Sequence, residues 1–158
     1  MDHANHHNGV PSPSINRLAF SATAHCLTGC GIGEVLGMVI GTALGWGNVE
    51  TIVLAVILAF VFGYALTMLP MLRAGLAFRS AAGAALAADT VSIGIMEIVD
   101  NAIMLVIPGA MDAGIDSLLF WASLAVALLI AGAAAFPVNR WLISKGWGHA
   151  LVHRHHRH

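Results

Sequence analysis

The sequence predicts an all-α, polytopic membrane protein with four transmembrane helices, arranged as two hairpins and with both termini in the cytoplasm. Three observations lead there. The 158-residue chain is 58% hydrophobic and only 9% charged, against about 25% charge in soluble domains, and its mean hydropathy is +0.82. Two stretches, Thr51–Leu69 and Ser117–Phe136, carry no charge at all and match the roughly 20 residues that a helix needs to cross a bilayer. Two further apolar stretches are as long but contain acids: Leu18–Leu44 holds Glu34, and Ala81–Ile107 holds Asp89, Glu97 and Asp100.

The spans are therefore expected at about 18–44, 51–69, 81–107 and 117–136, within a membrane domain covering residues 18–138. Turn-forming residues separate them at Gly45-Trp46-Gly47-Asn48, from Pro70 to Arg79, and from Pro108-Gly109 to Asp116. Residues 1–17 read as a His-containing cytoplasmic tail, and residues 139–158 as an interfacial segment, Asn139–Trp147, followed by a His-rich cytoplasmic tail. The stretch before the first span does not read as a signal peptide, because Arg17 is its one early positive charge and Ala22-Thr23-Ala24 precedes the apolar run.

Orientation follows from the basic residues. Arg17, Arg73, Arg79, Arg140, Lys145, Arg154 and Arg157 all fall on one side of a four-span chain, while the opposite loops carry Glu50, Asp112 and Asp116. Positive-inside bias places both termini in the cytoplasm. Trp46, Trp121, Trp141 and Trp147 lie near span ends, where amphipathic rings settle at the interface. The net charge of −1 offers no basic patch for nucleic acid, and two cysteines are too few for a disulfide framework.

The two hairpins also align as an internal, parallel repeat. An offset of 63 residues pairs Cys26 with Asp89, Glu34 with Glu97, Gly37 with Asp100 and Met38 with Asn101. Its pseudo-twofold axis would run along the membrane normal.

Helical spacing organises the polar residues. Cys26, Cys30, Glu34 and Met38 follow one another at i, i+4, and each step advances about 40° around a helix, so they share an arc of roughly 120°. Gly29, Gly33, Gly37, Gly41 and Gly45 form a second ladder beside them, a spacing that lets another helix approach closely. On the third span Asp89, Met96, Glu97, Asp100, Asn101 and Met104 occupy an equivalent arc. Each carboxylate near mid-membrane costs about 2.5–3.5 kcal/mol on insertion scales, and no basic residue lies within a span to offset it. Protonation, hydrogen bonds, water or a bound cation remain as ways to lower that cost.

The donor types point to a cation. Thiolates and thioethers are soft ligands that suit Cu(I) and Zn(II), and side chains at i, i+4 sit about 5–6 Å apart at Cβ, close enough to converge on one ion. The candidate metal ligands are His25, Cys26, Cys30, Glu34 and Met38 on the first span and Asp89, Met96, Glu97, Asp100 and Met104 on the third. Parallel Cβ vectors argue against a Cys26–Cys30 disulfide. His3, His6, His7, His149, His153, His155, His156 and His158 place eight of the nine histidines in the tails, a composition associated with metal binding. Each feature also has a plainer account: buried cysteine as a small apolar filler, the glycine ladder as packing, and Met68, Met71 and Met111, near span ends, as packing or interface residues. The intramembrane acids have no such plain account, and an ionisable group there is a functional hypothesis by default.

The stretch His25-Cys26-Leu27-Thr28-Gly29-Cys30-x-x-Gly33-Glu34-x-x-Gly37-Met38 resembles a bacterial four-helix membrane family catalogued as a domain of unknown function and loosely associated with copper handling. The resemblance covers about Ser21 to Trp147 and implies no mechanism. The residues themselves favour membrane-embedded binding and transport of a soft or borderline metal cation, Cu(I) first and Zn(II) or another divalent ion second. Four helices are few for a transport path, so a homo-oligomer in the lipid bilayer is expected, with a metal chaperone or redox complex as partner. The alternatives are a proton- or ion-conducting subunit using a carboxylate relay, or an accessory subunit of a membrane redox complex. No Gly-x4-Gly-Lys-Ser/Thr motif supplies power for transport, and no serine–histidine or His-Glu-x-x-His constellation supports hydrolysis, so an enzyme is the weakest reading.

Overall fold

A computed structural model describes residues 14–145. The His-rich tails and Trp147 lie outside the described residues. Four helices follow in order: α1 (Ile15–Leu44), α2 (Asn48–Arg73), α3 (Phe78–Val106) and α4 (Leu118–Ser144). Each is long and apolar enough to cross a membrane, and no strand occurs among the described residues. The chain is a multi-pass, all-α membrane protein.

The helix ends obey local chemistry. Ser14 caps α1, its side chain accepting from the Arg17 backbone N–H at 3.4 Å. At the other end Gly45 adopts φ 65°. Its N–H bonds Thr42 O at 3.1 Å and that of Trp46 bonds Gly41 O at 2.9 Å, the paired bonds of a Schellman stop. The α2–α3 turn repeats the device: Gly75 has φ 85°, with Gly75 N–H on Leu72 O at 3.0 Å and Leu76 N–H on Met71 O at 3.1 Å. The break expected from Pro70 to Arg79 is therefore shorter, since Pro70 lies inside α2 and Arg79 in the first turn of α3. Pro137 likewise sits inside α4. Membrane helices accommodate proline because neighbouring groups re-satisfy the freed backbone. The longer 107–117 connection folds back onto the bundle, burying Ala110 completely and bonding Trp121 Nε1 to Ile115 O at 2.7 Å.

The helices form a ring. α1 packs on α2 and α4, α3 packs on the same two, and α1 and α3 meet across the ring. The glycine ladder makes the α1–α2 contact. Gly29 faces Gly63, Gly33 faces Ala59, Gly37 faces Ala55 and Gly41 faces Thr51, so small residues at i, i+4 on one helix meet small residues at i, i+4 on the other. The ladder takes up one side of α1 and leaves Cys26, Cys30, Glu34 and Met38 directed at α3.

The last turns of α4 differ from expectation. Asn139 does not begin a separate interfacial helix; α4 continues unbroken to Ser144. Asn139 is buried, and its Nδ2 donates to Thr23 Oγ1 at 2.9 Å. Ile143 packs with Ala19 and Ala22 of α1. A double-mutant cycle over Thr23→Ala and Asn139→Ala, read by denaturant unfolding in detergent, is expected to give a coupling of about 0.6 kcal/mol, the mean for interhelical hydrogen bonds in membranes.

Candidate functional site

All ten candidate ligands lie on α1 and α3. Nine are buried, and His25 is half-buried. They occur in successive layers along the space where the two helices face each other.

The first layer joins residues related by the 63-residue offset. Cys26 Sγ lies 3.9 Å from Asp89 Oδ1, as donor to that carboxyl. Ser92, fully buried, is within reach of the same thiol. One turn on, Cys30 lies beside Glu97. Cys26, Cys30 and Met96 belong to one buried cluster with Ala59 and Ile93, so two thiols from α1 and one thioether from α3 occupy common ground. Both cysteines are free thiols, as the parallel Cβ vectors require.

The second layer is a carboxyl group cluster organised by an amide. Asn101 Nδ2 donates to Glu34 Oε1 at 3.3 Å, to its own helix at Glu97 O at 2.9 Å, and to Glu97 Oε2 at 3.5 Å. Asp100 lies against Glu34, yet neither of its oxygens has a hydrogen-bond partner among the described residues, and neither does Glu97 Oε1. Two carboxyl groups that face each other are both acceptors. They form no hydrogen bond until a proton or a cation lies between them.

The third layer is apolar. Met38 and Met104 fall in a second cluster with Ala110, Phe120, Leu124 and Ala127. The ten candidates therefore do not converge on one point: sulfur ligands occur at both ends of the series, and the acids run from Asp89 beside Cys26 to the Glu34–Asp100 layer. Among the described residues no three His, Cys, Asp or Glu side chains gather at metal-binding distance. Every described Arg and Lys is exposed and sits near a helix end, so neither residue type neutralises the interior carboxyls.

One group escaped sequence reasoning. Ser92 was visible only as i+3 from Asp89 on the same arc. Asn101 was placed on the arc, but its role as the amide that ties Glu34 to Glu97 depends on how α1 and α3 meet.

Comparison with known proteins gives one match. A family model described as a domain of unknown function matches residues 16–148. No curated protein and no solved structure matches the chain.

Proposed function

Since the chain belongs to the DUF4396 family, whose description assigns no activity, we propose from its own residues that it binds a soft or borderline metal cation within the membrane and conducts it along the α1–α3 seam. Cu(I) is the first candidate and Zn(II) the second. The observation that carries this reading is the buried grouping of Cys26, Cys30 and Met96, with Asp89 and Glu97 against the two thiols. Soft sulfur donors select Cu(I), and adjoining carboxyls extend the set to borderline ions. A bound cation is also one of the ways to offset the cost of the interior carboxyls, beside which no described Lys or Arg stands. In this reading the ion enters past His25 from a cytoplasmic face marked by the basic residues. A second copy of the chain would complete the path, and a metal chaperone or membrane redox complex would supply or receive the ion.

The test is metal content. Reduced, detergent-purified protein incubated with Cu(I) or Zn(II) is expected to retain metal through desalting. Cys26→Ser/Cys30→Ser is expected to lose one equivalent per chain. Wild-type protein that holds no metal under reducing conditions rules out the soft-ligand reading.

The Glu34–Asp100–Asn101 layer favours a second reading, a proton or ion relay in which the cysteines are packing. Carboxyls that face each other, as Glu34 and Asp100 do, can pass a proton between them. Reconstituted vesicles separate the two: flux that survives Cys26→Ser/Cys30→Ser and disappears in Glu34→Gln supports the relay.

A further inference from the structure

Three methionines from three separate segments lie in or against one apolar cluster, separated along the helices from the cysteines. Met38 of α1 is 5% exposed and Met104 of α3 is 2% exposed. Both belong to the cluster around Phe120 and Ala110, and Met111 of the 107–117 connection packs against that cluster. Met111 reads from sequence as an interface or packing residue, and the 107–117 connection packs it against this cluster.

We propose that Met38, Met104 and Met111 form a second cation site, made only of thioethers and specific for a soft monovalent ion such as Cu(I) or Ag(I). The proposal rests on the metal-conducting reading above and extends it by a separate station. The two sulfur groups cannot share an ion. Cys30 and Met38 are two helical turns apart, which is about 12 Å of axial rise, several times a metal–sulfur bond. The intervening layer holds the acids Glu34 and Asp100.

Sequence spacing ties the methionines to that acidic layer. Met38 is i+4 from Glu34, and Met104 is i+4 from Asp100. Each helix thus presents a carboxyl and, one turn further, a thioether, with Cβ atoms about 5–6 Å apart. An ion held by neutral sulfur ligands keeps its full charge. The undonated oxygens of Asp100 lie one turn away to balance it.

Thioether chemistry sets the ligand class. The sulfur is soft and uncharged, so it holds Cu(I) and Ag(I) but offers little to Zn(II), which prefers thiolate, imidazole and carboxylate donors. Binding releases no proton, because the thioether carries none. Such a site holds its ion less firmly than thiolates do, which suits a point of release.

The experiment uses the full chain in detergent under reducing conditions, titrated with Ag(I) and Cu(I). Met38→Leu/Met104→Leu/Met111→Leu, a volume-conserving change, is expected to bind one equivalent fewer than wild type, while Met68→Leu/Met71→Leu binds the same. Cys26→Ser/Cys30→Ser is expected to keep the thioether equivalent, and excess Zn(II) is expected not to displace it. An unchanged stoichiometry in the triple variant overturns the thioether site while leaving the thiol centre intact. Loss in the triple variant without loss in the cysteine variant overturns the thiol centre instead. A measurement independent of the Met substitutions is selenium-edge X-ray absorption on selenomethionine-labelled Cys26→Ser/Cys30→Ser protein loaded with Ag(I). A silver neighbour at bonding distance from selenium is expected, and its absence overturns the proposal.

Discussion

Gly33→Leu is expected to prevent α1 and α2 from assembling. A Cβ at Gly33 would fall on the backbone nitrogen of Ala59 and 2.5 Å from its Cα. Backbone atoms have no rotamer to move aside, so the two helices would have to separate. Overpacking a core typically costs 1–3 kcal/mol even where side chains can shift, and a rigid backbone contact places this substitution at about 3 kcal/mol or beyond. Because Gly29 and Gly37 face Gly63 and Ala55 in the same register, separation at Gly33 loosens the whole ladder. Gly83→Ala is the control. A Cβ there meets nothing within 4 Å, and alanine gains up to about 1 kcal/mol in helix propensity. Denaturant unfolding in detergent compares the two. Gly33→Leu within 1 kcal/mol of wild type would contradict the close α1–α2 approach.

Asp100→Asn is expected to raise stability and impair cation binding together. Asp100 is 1% exposed, faces Glu34, and has no hydrogen-bond partner on either oxygen among the described residues. An asparagine keeps the shape, removes an uncompensated acid and brings an N–H group toward the Glu34 carboxyl. Replacing buried charge by neutral groups of similar volume is often stabilising by about 1–4 kcal/mol. The same change removes an anionic donor from the seam, so metal affinity should fall at least about tenfold, equivalent to 1.4 kcal/mol. Asp112→Asn, at an exposed loop position, should alter neither quantity. Thermal unfolding and metal competition assays check both halves. A variant less stable than wild type, with affinity unchanged, would mean that Asp100 is held by partners in the fold and is not part of the cation path.

Much of this molecule can be read in its residues because a bilayer simplifies the physics. Every backbone group in lipid must be satisfied within its own segment, so long apolar runs become helices whatever surrounds them. The four spans follow from that, and Gly45 ends α1 where turn chemistry places it. The glycine ladder also announces a close helix contact, and the i, i+4 arcs announce which acids and sulfurs share a face. Proline was misleading. Pro70 looks like the start of a break, but α2 continues through it, since the cost of a missing N–H depends on neighbours that a linear reading does not show. Asn139 needed the fold for a related reason: a linear reading shows a polar residue near a span end, and only the packed helices show its partner, Thr23.

Periodicity fixes the angle of a side chain about its own helix axis, which is why the sequence alone determined the membrane class, the four helices and the two polar arcs. It says nothing about which helix stands opposite. Only the tertiary structure decided that the glycine ladder faces α2 while the polar arc faces α3, that Asn101 spans Glu34 and Glu97, and that Met111 packs against the cluster holding Met38 and Met104. Those pairings depend on the rotation and height of one helix against another, set by small-residue packing and loop closure, quantities that arise only when all four helices pack at once.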